Sequence, residues 1–148
     1  MKQEGLFEVA LKLFVRKGDE LLVLIAANTK QGDFPGGRMD MTDSLFEREN
    51  SLRREITEEL GGSVSLKVSR EPCFIFPYTS KNNTQEVLGL AHVANYEGGE
   101  IILSEEHIKM LWLPVEEAVK HYEGDFLKGI EKYLTFDRLP LGENPISI

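Results

Sequence analysis

Between Phe34 and Gly61 a glycine turn, Phe34-Pro35-Gly36-Gly37, leads into a run that carries Glu47, Arg54, Glu55, Glu58 and Glu59. On a helix, Glu55, Glu58 and Glu59 lie three and four positions apart, so their carboxylates are neighbours on one flank and repel. The last turn of a helix carries partial negative charge and favours Lys, Arg or His over paired glutamates. Arg54 offsets Glu58 only in part, because an Arg placed N-terminal to its Glu is the poorer orientation. A hard divalent cation would relieve the repulsion, since magnesium takes carboxylate and carbonyl oxygens and keeps several waters. A solvated helical face also carries acids, and the helix alone leaves both readings open.

The elements that must position these acids follow from local signals. Thr42, Asp43 and Ser44 are all good helix caps, and Ser44 with Glu47 has the spacing of a capping box. The spacing predicts a helix from near Ser44 to Leu60, closed by Gly61-Gly62, which is roughly 25 Å at about 1.5 Å per residue. Leu45, Leu52, Ile56 and Leu60 form its apolar stripe and face a core. Pro35 fixes one torsion of the preceding turn, and Gly36 and Gly37 let backbone approach whatever binds there.

This stretch resembles the signature of the Nudix hydrolases: Gly, five residues, Glu, seven residues, Arg-Glu, an apolar residue, any residue, Glu-Glu, any residue, Gly, an apolar residue. Gly37 opens it, Arg54-Glu55-Ile56-Thr57-Glu58-Glu59-Leu60-Gly61 matches the second half without a mismatch, and Phe34-Pro35-Gly36 is the usual lead-in. The first half departs from the signature. Asp43 stands where Glu is expected, and ten residues rather than seven separate it from Arg54. Counting back seven from Arg54 lands on Phe46, beside Glu47, so Asp43 and Glu47 both stand near the place of the first acid. Gly62 replaces an apolar residue.

The resemblance implies an α/β fold, a Nudix-type α/β/α sandwich with a curved mixed β-sheet in a single domain over residues 1–148. It implies a magnesium-dependent hydrolase of phosphoric anhydrides, with manganese as a substitute ion. Glu58 and Glu59 are then metal ligands, joined by the Gly36 carbonyl, and Glu55 is a ligand or orients the attacking water. Arg54 holds the acids in place. The family often adds a carboxylate from the loop before a Trp-bearing strand; Glu106, six residues before Trp112, is the choice over Glu105. Gly37, Arg38, Phe76 and Tyr78 are expected on the substrate side. A Pro past the box goes with ADP-ribose and a nearby Tyr with dinucleoside polyphosphates; the adjacent Pro77 and Tyr78 satisfy both. Phe74, Phe76, Tyr78 and Tyr96 are candidates to stack a base, although strand aromatics are ordinarily core.

The expected activity is cleavage of a pyrophosphate bond in a nucleoside diphosphate linked to another group, such as a nucleotide sugar or a dinucleoside polyphosphate. The alternatives are a non-catalytic nucleotide-binding module, for which the altered first half speaks, and a house-cleaning nucleoside triphosphate pyrophosphatase. The intact Arg54-Glu55 and Glu58-Glu59 favour catalysis.

Composition narrows the partners. With 17 Lys and Arg against 25 Asp and Glu the net charge is −8, and without clustered cations long nucleic acid is not an expected ligand. The single Cys73 forms no internal disulfide and points to a reducing cytoplasm. No apolar run approaches the ~20 residues of a membrane span. A homodimer is compatible with the sequence. His92, His107 and His121 show no metal-ligand spacing and read as surface or structural histidines.

The remaining pattern predicts a hairpin of strands at Leu6–Val15 and Glu20–Ala27, then a polar loop over Asn28–Asp33. Ser63–Ser69 is a short strand, Cys73–Tyr78 an edge strand between prolines, Ser80–Thr84 a polar turn and Gln85–Tyr96 a central strand. Ile101–Leu103 is a brief apolar segment and Lys109–Leu113 the last strand. Helices are expected from Pro114 to Gly124 and from Asp125 to about Phe136, followed by an irregular tail over Asp137–Ile148.

Overall fold

The computed structural model describes residues 1–80 and 84–148. Strands β1 (Glu8–Lys17) and β2 (Glu20–Ala26) form the expected hairpin. They pair at the turn, Arg16 with Leu21 and Lys17 with Glu20, and then part. The gap is filled from the chain that follows. Strand β3 (Gly32–Asp33) pairs with β2, and β4 (Gly36–Arg38) pairs with β1, placing Lys12 opposite Gly36. The glycine turn is thereby wedged against the middle of the sheet.

On its other edge β1 runs parallel to β7 (Glu86–Gly98) from Glu8–Val87 to Arg16–Asn95. Strand β7 continues antiparallel to β5 (Ser65–Val68) and to β6 (Phe74–Thr79), while β8 (His107–Pro114) lies antiparallel along β2. Among the described residues these strands and β9 (Ile146–Ser147) make one mixed sheet.

Both faces of the sheet are covered, which explains why β1 and β2 are so apolar. Leu11, Leu13, Val15, Leu22 and Leu24 pack with Leu52, Ile56 and Leu60 of helix α1 (Arg48–Leu60). Phe14, Leu21, Val23 and Phe74 pack on the other side with Ala118 of α2 (Val115–Ala118) and Ile130 of α3 (Gly124–Leu134). This second core is aromatic: Phe14 stacks on Phe34 and Tyr133 at 4.3 and 4.9 Å, and Phe34 stacks on Tyr122 at 4.6 Å. Burying each such ring contributes about 1.5–3 kcal/mol. The α/β/α sandwich with its mixed sheet is the architecture expected from the sequence.

Several boundaries differ, each for a local reason. Helix α1 begins at Arg48, after a 3-10 turn over Leu45–Glu47, and the Ser44 side chain caps nothing. The capping box fails because the chain before it is held by Asp43, whose carboxylate accepts from the Asp40 N–H and from Arg54. Leu45 therefore leaves the apolar stripe and is 52% exposed. Gly61 ends α1 at φ +91°, donating to the Thr57 carbonyl.

Ile101–Leu103 is not a strand; Ile102 N–H instead satisfies the terminal Leu60 carbonyl at 2.9 Å. The tail is not wholly irregular. Its β9 pairs with β5, with Leu66 and Ile148 exchanging both backbone bonds at 2.8 and 2.9 Å, because the outer edge of β5 needs partners for its backbone groups. Part of the Ser80–Thr84 turn lies outside the described residues. Among the described residues no helix is long and apolar enough to cross a membrane.

Candidate active site

The wedge of residues 32–38, the C-terminal half of α1 and the start of β8 enclose a cavity of about 1060 Å³. Glu55, Glu58 and Glu59 all line it, as the helical spacing requires, together with Gly36, Gly37, Arg38, Tyr78, Glu105 and Glu106. The two loop glutamates thus reach the same cavity. Glu106 is exposed, and its carbonyl accepts from the Ala27 N–H at 2.8 Å, tying the loop to the end of β2.

The three helix carboxylates sit in unequal surroundings. Glu59 is buried at 5% exposure and its Oε2 accepts from the Gly36 N–H at 2.6 Å. Burial pushes its carboxyl from an ordinary 4.5 up to about 7, against the pull of the Lys12 charge and the Gly36 N–H. Glu55 is also raised, first by burial and then by the Glu58 charge. Glu58 is exposed. Gly37 lies against Glu55: a Cβ there would come within 2.6 Å of Oε2.

Arg54 borders the acids, and its main partner is not a glutamate. Its guanidinium grips both oxygens of Asp43 at 2.9 Å and reaches Glu55 Oε1 at 3.6 Å. That grip lowers the Asp43 carboxyl to about 2. Glu47 is exposed. Arg38 donates to Glu8 Oε2 at 2.7 Å and to Ser80 Oγ at 3.4 Å.

The two aromatic candidates part company. Tyr78 lines the cavity, half-buried, its ring edge-on to Phe126 at 4.9 Å. Phe76 is 3% exposed and belongs to the aromatic core, against Phe14 and Phe34; Tyr78, two residues on, shares its strand face and stacks on it at 6.0 Å. Phe76 does not line the cavity, and the substrate-side expectation for it is corrected. Phe74 is likewise core, and Tyr96 packs on Trp112 at 5.3 Å.

Three cavity residues escaped the sequence reading. Lys12 Nζ, on β1, donates to Asp33 Oδ1 and to the Phe34 carbonyl, both at 3.3 Å. His107, 5% exposed, meets Asp33 Oδ2 through Nε2 at 2.9 Å, while its Nδ1 is buried without a partner. Burial disfavours the charged ring, but Asp33 more than offsets this and raises the His107 pKa. Burial likewise opposes the Asp33 charge, and the positive Lys12 with the His107 bond more than compensates, lowering its pKa. One signal was available: Lys12 is the single charge between Val9 and Val15 in a strand buried on both faces.

A sequence model described as the NUDIX domain matches residues 7–133. The chain belongs to the NUDIX family. Among curated proteins no relative matches by sequence. Solved structures share the fold. A MutT protein from Methanosarcina mazei Go1 is 20% identical over 90% of this chain and 97% of its own, at a TM-score of 0.70. A NUDIX hydrolase from Nitrosomonas europaea is 16% identical over 91% and 93%, at 0.65. A C. elegans Ap4A hydrolase, solved as a binary complex, is 20% identical over 86% and 96%, at 0.64. With the NUDIX family comes the class of enzyme, a pyrophosphohydrolase.

NUDIX hydrolases generally depend on a divalent metal, so the donors here must suit one. They are hard oxygens: the carboxylates of Glu55, Glu58 and Glu59, and the Gly36 carbonyl beside Glu59. Among the described residues no three acidic, His or Cys side chains converge into a ready-made cluster. Magnesium needs none, since it is held by one or two carboxylates, its own waters and substrate phosphates. Burial raises the Glu59 and Glu55 carboxyls, a cost that the charge of a cation would offset, and the residues fit a hydrated hard cation.

Proposed function

We propose that this NUDIX protein is a magnesium-dependent pyrophosphohydrolase acting on a nucleoside diphosphate linked to a second group, such as a nucleotide sugar or a dinucleoside polyphosphate. The observation that carries the reading is Glu59, a buried carboxylate anchored by the Gly36 N–H on a cavity wall shared with Glu55 and Glu58. When bound, magnesium would supply charge neutralisation for the phosphates and an activated water. Glu58 and Glu59 would hold the ion with the Gly36 carbonyl, and Glu55 would be a further ligand or accept a hydrogen bond from the attacking water. Glu106 would supply a carboxylate from the loop before β8. Gly37 admits backbone close to the phosphates, and Arg38 and Tyr78 bound the side where the nucleoside enters. Phosphoryl-type transfer asks mainly for positioning and charge neutralisation, which is what these groups provide. A cytoplasmic setting accords with the free thiol of Cys73.

Phosphate release, coupled to a phosphatase, is the test. The panel is ADP-ribose, other nucleotide sugars, dinucleoside polyphosphates and nucleoside triphosphates, with magnesium, with chelator and with Glu59→Gln. Magnesium-dependent turnover of one linked diphosphate, abolished by the substitution, is expected. Preference for a nucleoside triphosphate would make it a house-cleaning pyrophosphatase. Nucleotide binding without turnover would make it a sensing module.

A further inference from the structure

Building on that reading, we propose that Lys12 is a substrate-binding residue whose ammonium binds a phosphate oxygen of the diphosphate link, with Asp33 and the Phe34 carbonyl holding it at the cavity wall. Lys12 is 6% exposed yet lines the cavity. A lysine is rarely buried this far unless its charge is used.

Its local bonds do not use it fully. An ammonium has three donors, and among the described residues Lys12 has two acceptors, Asp33 Oδ1 and the Phe34 carbonyl. Both contacts are 3.3 Å, whereas a committed charge-assisted bond closes to about 2.7–2.9 Å. Asp33 has closer partners besides Lys12, since it accepts from the Phe34 N–H at 2.8 Å and from His107 at 2.9 Å. One donor of a buried cation is therefore left for a ligand oxygen.

The surroundings indicate which oxygen. Lys12 interacts electrostatically with Glu59 on the carboxylate wall. On its other side it stands 5.4 Å from the Phe126 ring, the ring that meets Tyr78. A diphosphate reaching from a cation on the carboxylates toward a nucleoside beside Tyr78 passes Lys12. The other permanent cation among the described lining residues, Arg38, is already closed on Glu8 at 2.7 Å.

The probe is α,β-methylene-ADP, which cannot be hydrolysed at its diphosphate, with affinity measured by calorimetry. Loss of one bond to a charged group weakens binding about tenfold or more, and this is expected for Lys12→Met. That change also leaves Asp33 without its cation, so Lys12→Met/Asp33→Asn is made beside it. The double variant is expected to recover the melting temperature and to remain as weak a binder. In the wild-type protein the Lys12 side-chain NMR signal is expected to shift on saturation with probe. Wild-type affinity in the double variant, an unmoved Lys12 signal, or no binding by the wild-type protein would each overturn the inference. If the wild-type protein binds the probe through Lys12 and hydrolyses no nucleotide, the enzyme reading fails and this one stands.

Discussion

Asp43 and Arg54 face each other as a two-pronged pair, Oδ1 to Nη1 and Oδ2 to Nη2, each at 2.9 Å. The lengthened first half of the box thus folds as a turn around Asp40, whose Oδ1 accepts from Thr42 N–H and Oγ1 at 3.0 Å. The turn delivers Asp43 to Arg54, which in turn borders Glu55.

Asp43→Asn and Arg54→Lys are expected to lower kcat about tenfold or more, the usual effect of removing a group that orients a ligand, with the fold retained. Lysine cannot reproduce the two-pronged contact. Because the Asp43 carboxyl is depressed to about 2, from 3.8, its pairing is present above the ordinary value and is lost only as pH falls through about 2. Activity of the Asn variant across the working pH range should therefore be uniformly low and not rescued by raising the pH.

Glu59 has the opposite sign. Its carboxyl titrates at about 7 in the folded protein against an ordinary 4.5, so the folded state holds the proton more tightly. Its contribution to stability is fully present below about pH 4.5 and is lost as pH rises through 7. At pH 8, in chelator, Glu59→Gln should be more stable than the wild type by on the order of 3 kcal/mol, and the gap should close toward pH 5. Thermal unfolding across that range checks it. An equal gap at both ends would mean that Glu59 is not buried as a strained carboxylate.

Gly36 and Gly37 are adjacent yet should fail differently. A Cβ at Gly36, at φ +120°, would stand 1.9 Å from the Leu11 carbonyl oxygen, and backbone cannot move aside. Gly36→Ala should lose about 3 kcal/mol or more and fold poorly. At Gly37 the obstruction is the end of the Glu55 side chain. Gly37→Ala should fold, with kcat down by as much as about a hundredfold because Glu55 is displaced. Urea unfolding and turnover measured on both variants separate the two outcomes.

The C-terminal tail should matter to stability. Ile146 is 3% exposed and belongs to the core formed with α1. Ile146→Ala is expected to cost about 2–5 kcal/mol, as buried truncations do. A change within the scatter of surface substitutions would show the pairing of β9 with β5 to be dispensable.

How far these features were legible depends on how local their causes are. The stripe Leu52, Ile56, Leu60 and the flank Glu55, Glu58, Glu59 repeat at helical spacing, so the chain itself puts them on one side and the other of α1. The same holds for the β1–β2 hairpin and for the turn at Gly36, whose φ only glycine adopts readily. Leu45 misled because Ser44 and Glu47 have cap spacing, while the competing bond comes from Arg54, in the middle of α1.

By itself, then, the sequence determined the acidic helix, the glycine wedge, the covered sheet and with them the family. Tertiary structure decided what each charged group does. Lys12, Asp33 and His107 come from three strands and meet only because β3 and β4 fill the space where β1 and β2 separate, while β8 lies along β2. Phe76 and Tyr78 share one face of a strand, yet Phe76 is enclosed in the core and Tyr78 lines the cavity. The physical reason is that periodicity is written in neighbours a few residues apart, whereas the cost of burying a charge or a backbone group is settled by whichever distant residue arrives to pair with it.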